Sequence, residues 1–274
     1  MLNFLHNFNP EPILVSLGPI HIYWYGLFIV LGILLATLVA FKLASFYNIS
    51  KNTIFDSAFY TIFGGLIGAR IYYIFLELPF YIEHPLDIFK VWNGGLAIHG
   101  GLIGGLIVLL YFCRKYKLNF WLLSAIYAPG LALAQTIGRW GNYFNQELFG
   151  TPTNLPWGIP ILPENRMMDF FNFDYFHPTF FYESIGNFFI FIILITIHSW
   201  IIKKKITGNK VYVFILGTYL LLYSILRFFM EFLRIDNPSI VSGLNVPQIV
   251  SLIIIGSILA VFVKNIFTKR ALEK

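Results

Sequence analysis

Residues 138–150 read Gly138-Arg139-Trp140-Gly141-Asn142-Tyr143-Phe144-Asn145-Gln146-Glu147-Leu148-Phe149-Gly150, directly after an apolar run from Trp121 to Ile137. An arginine, two asparagines, a glutamine and a glutamate thus stand where an apolar segment ends. On a helix, Arg139, Asn142 and Asn145 or Gln146 recur every three or four residues and share a face. That face offers a guanidinium fork and amide groups, a set suited to a phosphate and a hydroxyl at a lipid headgroup. Polar residues are costly at a membrane boundary, so function is the default reading of this segment.

Four further groups have chemistry to offer. Tyr25 lies in Tyr23-Trp24-Tyr25-Gly26, where an interfacial aromatic belt is the plain alternative for Tyr23 and Trp24. Arg70 ends Gly64-Gly65-Leu66-Ile67-Gly68-Ala69-Arg70. The glycines point to close helix packing. The arginine either snorkels to an interface or meets an anion. His99 opens His99-Gly100-Gly101-Leu102-Ile103-Gly104-Gly105. It could be a satisfied structural histidine, or could accept a proton from a thiol or alcohol, since its reference pKa is near neutrality. Arg227, Glu231 and Arg234 follow at i, i+4 and i+7 and share a helix face. This is either a local salt-bridge ladder or a surplus cation poised for an anion.

The elements that must carry these residues follow from composition. The 274-residue chain is 58% hydrophobic, 19% aromatic and only 12% charged, with a mean hydropathy of +0.73. A soluble domain carries about 25% charged residues, so this is read as an all-α integral membrane protein. Seven apolar runs approach the ~20 residues needed to cross hydrocarbon, at about 20–41, 54–76, 95–113, 121–137, 182–202, 211–229 and 247–266. The fourth is short. Of 19 basic residues, 13 fall in one set of loops and ends: Lys42, Lys51, Arg114, Lys115, Lys117, Lys203, Lys204, Lys205, Lys210, Lys264, Lys269, Arg270 and Lys274. By the positive-inside rule this side is cytoplasmic, which puts the N-terminus outside and the C-terminus inside. All acids but Asp56 and Glu273 fall on the outer side or in outer halves of spans.

The net charge of +6 then reflects topology and contact with anionic lipid, and no nucleic-acid partner is expected. Met1 to Pro19 has no basic n-region before an apolar core, so no cleavable signal peptide is expected. The single cysteine, Cys113, excludes an internal disulfide and is read as a packing residue. Without repeats or low-complexity linkers, residues 1–274 are expected to form one polytopic domain. Two outer segments exceed hairpin length. The first, about 78–94, contains Pro79 and Pro85. The second, about 138–181, carries five prolines and should form a small extracytoplasmic head. At ~1.5 Å per residue, Tyr25, Arg70, His99, Arg139, Arg227 and Glu231 come to one depth near the outer leaflet. A transporter would place polar groups at the midplane of repeated halves, which is not the pattern here. A purely structural subunit would not need such an array. No metal-spaced His/Cys cluster, Gly-rich phosphate loop or Gly-x-Ser-x-Gly elbow is present, and no metal or cofactor is expected.

At these residues the chain resembles the prolipoprotein diacylglyceryl transferases. The order Gly-Arg-x-Gly-Asn-x-x-Asn-x-Glu-x-x-Gly at 138–150 is specific. Trp24-Tyr25-Gly26, Gly68-Ala69-Arg70, His99-Gly100-Gly101, His177-Pro178-Thr179, Tyr182-Glu183 and the Arg227, Glu231, Arg234 series occur in the family's sequence. Four positions depart from its usual pattern: Tyr143, Phe180, Asn237 and Pro247. The resemblance implies an enzyme of the bacterial plasma (inner) membrane, multi-pass, with its active site toward the outer leaflet. Its expected partners are phosphatidylglycerol and preprolipoprotein signal peptides with a lipobox cysteine. The diacylglyceryl group would pass to the cysteine thiol, forming a thioether and releasing glycerol phosphate, the first step of lipoprotein maturation. His99 is then the candidate base and Tyr25 its orienting or relay partner, with Arg227 and Arg139 on the phosphate. Asn142, Asn145 and Glu147 would orient the headgroup glycerol, Gly138 and Gly150 would shape the turn, and Arg70, Glu231 and Arg234 would complete the binding set.

Overall fold

The computed structural model describes residues 2–18, 20–236 and 243–272. Among them, seven helices are long and apolar enough to cross a membrane: α2 (Trp24–Phe46), α3 (Lys51–Leu76), α5 (Ile98–Lys115), α6 (Phe120–Phe144), α7 (Thr179–Lys203), α8 (Asn209–Met230) and α9 (Val246–Leu272, apolar over Val246–Lys264). The chain is a multi-pass membrane protein. The long helices expose rows of large apolar side chains such as Phe59, Phe63, Leu102 and Ile107, as a lipid-facing surface requires. A short helix α1 (Leu2–Asn7) and one hairpin precede them, and a short helix α4 (Leu78–Glu83) and a second hairpin lie between them. One hairpin pairs β1 (Ile13–Leu17) with β2 (Ile20–Tyr23), so the first span begins at Trp24. The other pairs β3 (Ile159–Pro160) with β4 (Tyr175–Phe176).

The expected spans match except the first, whose opening residues Ile20–Tyr23 form β2 instead, and the fourth. Instead of ending near Ile137, α6 continues to Phe144 and carries the first half of the polar motif inside the helix. It can do so because Arg139 and Asn142 find partners within the protein, which removes the cost of lipid exposure. The helix ends just beyond, where Gln146 and Leu148 take left-handed φ values of 51° and 57°. Asn48, Lys117 and Lys205 take the same region (φ 56°, 53° and 53°) just past α2, α5 and α7, a common helix C-terminal turn.

The chain divides into two compact units, residues 1–39 with 127–274, and residues 40–126. In the second unit α3 packs on α5 through glycines. A Cβ on Gly68 would lie 2.9 Å from the Gly104 Cα, and one on Gly104 would lie 3.0 Å from the Gly68 Cα. Real Cβ atoms do not come so close to backbone, so these positions need glycine. In the first unit the head has its own core of Leu5, Tyr143, Phe149, Ile159, Ile161, Phe176 and Phe180. Gln146 ties it together. Its amide nitrogen donates to the Pro10 carbonyl at 3.0 Å, and its oxygen accepts from the Leu162 amide at 2.8 Å. His6 Nδ1 donates to the Gly158 carbonyl at 2.8 Å, and the ring stacks on Tyr175 with ring centroids 4.1 Å apart.

Candidate active site

Within the first unit, three arginines from two helices and the turn after α8 converge on one carboxylate. Glu183, in the second turn of α7, is buried at 2% exposure. Its Oε2 pairs with Arg139 Nη2 of α6. Its Oε1 lies 3.7 Å from Arg227 Nη1 of α8 and 3.6 Å from Arg234 Nη1 beyond that helix. Arg227 Nη2 also pairs with Glu231 at 2.6 Å, and Asn245 donates to the other Glu231 oxygen at 3.0 Å. Arg234 makes a two-pronged bond to Asp236, Nε to Oδ1 at 2.9 Å and Nη2 to Oδ2 at 2.6 Å. Burial works against charge on Asp236, but the Arg234 fork outweighs it and holds the carboxyl below its usual range. Arg234 is raised in turn: the Asp236 and Glu183 carboxylates outweigh the same desolvation.

Each participant sits near a helix end. Arg139 is five residues before the end of α6 and Glu183 four residues after the start of α7, so both lie roughly 6–8 Å inside at ~1.5 Å per residue. The frame around them is fixed. Ser184 Oγ donates to the Thr136 carbonyl at 2.8 Å, tying α7 to α6 one residue from Glu183. Asn187 Nδ2 donates to the Glu183 carbonyl at 2.8 Å. At the start of α9, the Asn245 amide and Gln248 Oε1 (3.1 Å) and the Gln248 amide and Asn245 Oδ1 (3.2 Å) bond reciprocally, the pattern of a capping box.

A second branch leaves Arg139 along its own helix. Its Nη1 donates to Asn142 Oδ1 at 3.4 Å, and Asn142 Nδ2 donates to Glu147 Oε1 at 2.7 Å. Asn142 is buried while Glu147 reaches the surface. Tyr25 packs against this segment. A Cβ on Gly141 would lie 3.2 Å from the Tyr25 Cα and closer still to its ring, so glycine makes room for the tyrosine. Gly150 is equally constrained: its missing Cβ would meet His177 Cβ at 2.8 Å and the Leu233 carbonyl at 2.9 Å. It bridges to Arg234 in an isolated β pair and so fixes the chain that presents Arg234.

The expected residues therefore separate. Tyr25, Arg139, Asn142, Glu147, Gly150, Arg227, Glu231 and Arg234 are brought together in the first unit. Asn145 is half-buried past the end of α6, its amide donating to the Gly141 carbonyl at 3.0 Å. Gln146 leaves the shared face because the left-handed turn sends its side chain into the head. Gly138 shapes no turn: it lies inside α6 with open space where its Cβ would be. Arg227 and Glu231 form the expected ladder pair, with Glu231 buried and Arg227 half-buried rather than exposed. Asn237 lies outside the described residues.

Arg70 and His99 belong to the second unit. Arg70 is 7% exposed and donates to four backbone carbonyls: Ile88 (2.9 Å), Gly94 (2.7 Å), Gly95 (3.0 Å) and Asp87. The left-handed φ of Gly94 (86°) and Gly95 (73°) forms part of this wrap, and a Cβ on Gly95 would collide with the guanidinium. Arg70 thus ties down the 78–94 segment. His99 stands exposed in the first turn of α5, its ring 6.2 Å from that of Tyr72.

Sequence reasoning missed Glu183 as the centre, together with Asp236, Asn245 and Gln248. The available signal was a carboxylate four residues into an apolar span, which must be paired to be tolerated there.

The family model described as prolipoprotein diacylglyceryl transferase matches residues 12–264. Three curated relatives named phosphatidylglycerol–prolipoprotein diacylglyceryl transferase are similar along most of their length. The Finegoldia magna protein is 42% identical over 240 residues, covering 88% of this chain and 90% of its own. The Nostoc sp. protein is 40% identical over 246 residues, covering 89% and 85%. The Staphylococcus aureus (strain MSSA476) protein is 40% identical over 247 residues, covering 89% and 85%. A seven-span chain with the polar motif on α6 and this match across nearly its whole length belongs to the prolipoprotein diacylglyceryl transferase family.

Proposed function

We propose that this protein transfers the diacylglyceryl group of phosphatidylglycerol to the lipobox cysteine thiol of preprolipoproteins; the names of its relatives state phosphatidylglycerol, prolipoprotein and diacylglyceryl transfer for them. One observation carries the reading: Arg227 Nη1 is buried yet has no hydrogen-bond partner among the described residues. It lies beside Arg139 and Arg234, and the nearest carboxylate oxygen of Glu183 is 3.7 Å away. A buried, unsatisfied guanidinium donor calls for a ligand acceptor, and a phosphate oxygen is the matched one.

The reaction forms one S–C bond and breaks one C–O bond. The thiol proton leaves with a base, the thiolate attacks the glyceryl carbon, and the C–O electron pair departs with the phosphate. This balance needs no oxidant, reductant or cofactor. Arg139 and Arg227 stabilise the growing charge on the departing phosphate, the usual role of fixed cations at a developing anion. Asn142 and Glu147, with Asn145, orient the headgroup glycerol. Arg234 and Glu231 hold the arginine pair in place. His99, an exposed imidazole, accepts the thiol proton as general base, and Tyr25 orients or relays. Arg70 serves by holding the 78–94 segment rather than by a headgroup contact. The site faces the outer leaflet of a bacterial plasma membrane, as the lysine-rich opposite loops support.

Purified protein with phosphatidylglycerol and a lipobox peptide carrying Cys or Ser tests this by mass shift. A diacylglyceryl adduct on the Cys peptide alone is expected; no adduct on either peptide would sink the assignment.

A further inference from the structure

The arginine cluster is balanced before any phosphate arrives. Three guanidiniums (Arg139, Arg227, Arg234) face three carboxylates (Glu183, Glu231, Asp236), which sums to zero. The carboxylates are not equivalent. Glu231 and Asp236 each have one dedicated arginine at 2.6 Å. Glu183 alone touches all three. Its Oε1 sits 3.6 and 3.7 Å from two of them, outside hydrogen-bonding distance. Among the described residues Arg139 pairs with no other carboxylate, and its other side-chain bond is to Asn142 Oδ1 at 3.4 Å. A phosphate monoester offers the same groups three terminal oxygens against the two of this carboxylate.

We infer that Glu183 is a displaceable counter-anion, which yields Arg139 to the lipid phosphate and reclaims it to release the phosphate product. The inference rests on the phosphatidylglycerol reading above. A phosphodiester brings one negative charge into a neutral cluster, so it binds well only if Glu183 swings off the arginines. After C–O cleavage the product is a phosphate monoester with up to two charges. Three arginines would then grip the product harder than the substrate and stall turnover. A carboxylate tethered beside them competes at high effective concentration and opposes that trap. The motion required is a side-chain rotation. The backbone at Glu183 is held by the Asn187 bond and the adjacent Ser184–Thr136 bond. Glu183 is therefore a positioning residue that acts through the arginines.

Glu183→Gln keeps the shape and takes the cluster from neutral to a charge of +1. For the full-length protein in detergent, calorimetric titration with glycerol phosphate should show binding at least tenfold tighter than in the parent. In turnover, the KM for phosphatidylglycerol should fall by a smaller factor. The kcat should fall as well, with sharpened inhibition by added glycerol phosphate. A residue that only held the helices together would weaken both ligands. Unchanged or weaker glycerol phosphate binding by a monodisperse, helical Glu183→Gln protein overturns the inference. Should that variant not fold, Glu183→Asp, which draws the carboxylate back by one methylene, must show the same tightening in smaller degree. Unchanged or weaker binding there overturns it equally. The binding arm needs no turnover. Failure of the parent to transfer a diacylglyceryl group would sink the preceding reading, whereas failure of binding to tighten sinks this one.

Discussion

Arg139 joins the two branches of the site, pairing with Glu183 on one side and meeting Asn142 on the other. Arg139→Ala should lower kcat by about 10²–10³-fold, the usual cost of removing one fixed donor at a developing anion. Arg139→Lys should recover little, because a point charge cannot serve both branches as a planar fork does. Full activity in Arg139→Ala would end the phosphate assignment. His99→Ala should cost about 10²–10⁴-fold, the range for a general base. Because His99 is exposed, its loss should leave thermal stability nearly unchanged. Retained activity with the parent's pH profile would exclude it as the base. In the head, burial pushes the His177 imidazole below its ordinary 6.5 while its Nδ1 lies 3.3 Å from the Tyr182 hydroxyl. The folded state therefore resists protonation more than the unfolded chain does. Above pH 6.5 His177 is neutral in both states and has no pH effect; below it, stability falls until the depressed pKa is reached. Melting temperature should drop across that window, and His177→Gln should flatten the drop. An unchanged slope in the variant would refute it.

At the scale of elements, glycine contacts separate what is rigid from what is free. Gly68 and Gly104 bring α3 and α5 into backbone contact, and Gly150 presses against His177 and the Leu233 carbonyl. Alanine at Gly68, Gly104 or Gly150 should each cost about 1–3 kcal/mol through overpacking, read as a lower melting temperature in detergent. Gly138→Ala should leave stability unchanged, since its Cβ meets nothing within 4 Å. A destabilised Gly138→Ala would contradict the open space on that face of α6. This contrast also shows what could be read beforehand. Spans were legible because lipid imposes one hydrophobic length, and the motif on α6 because polar residues there are rare. The end of α6 was not legible. Helix continuation past Ile137 depends on Glu183 accepting from Arg139, a pairing between distant segments that no local pattern announces. Arg70 was recognised as anomalous, yet only structure shows its donors spent on the carbonyls of Asp87, Ile88, Gly94 and Gly95. The hairpin ahead of Trp24 was absorbed into the first span because Ile20–Tyr23 is as apolar as a helix start.

For the whole molecule, the distribution of charge and the proposed reaction point to one orientation, which labelling can test. A lipobox cysteine follows the apolar segment of a signal peptide, so its thiol arrives where that segment leaves the membrane. On the proposed reaction the polar cluster faces the same side, and the lysine-rich loop Lys203-Lys204-Lys205 the other. Single-cysteine labelling can decide this, because the chain has one native cysteine and it is buried, at 3% exposure. In a Cys113→Ser background, Met168→Cys places a thiol at a position 96% exposed in the outer head. Lys204→Cys places another just past the end of α7. A membrane-impermeant maleimide applied to intact spheroplasts should label Met168→Cys fully and Lys204→Cys only after permeabilisation. Neither substitution touches the arginine cluster, so both proteins should keep parental transfer activity. The opposite labelling pattern would invert the orientation and put the site beyond reach of an exported thiol. Equal labelling from one side at both positions would contradict the odd number of spans between the head and the lysine loop, where α7 is the single crossing.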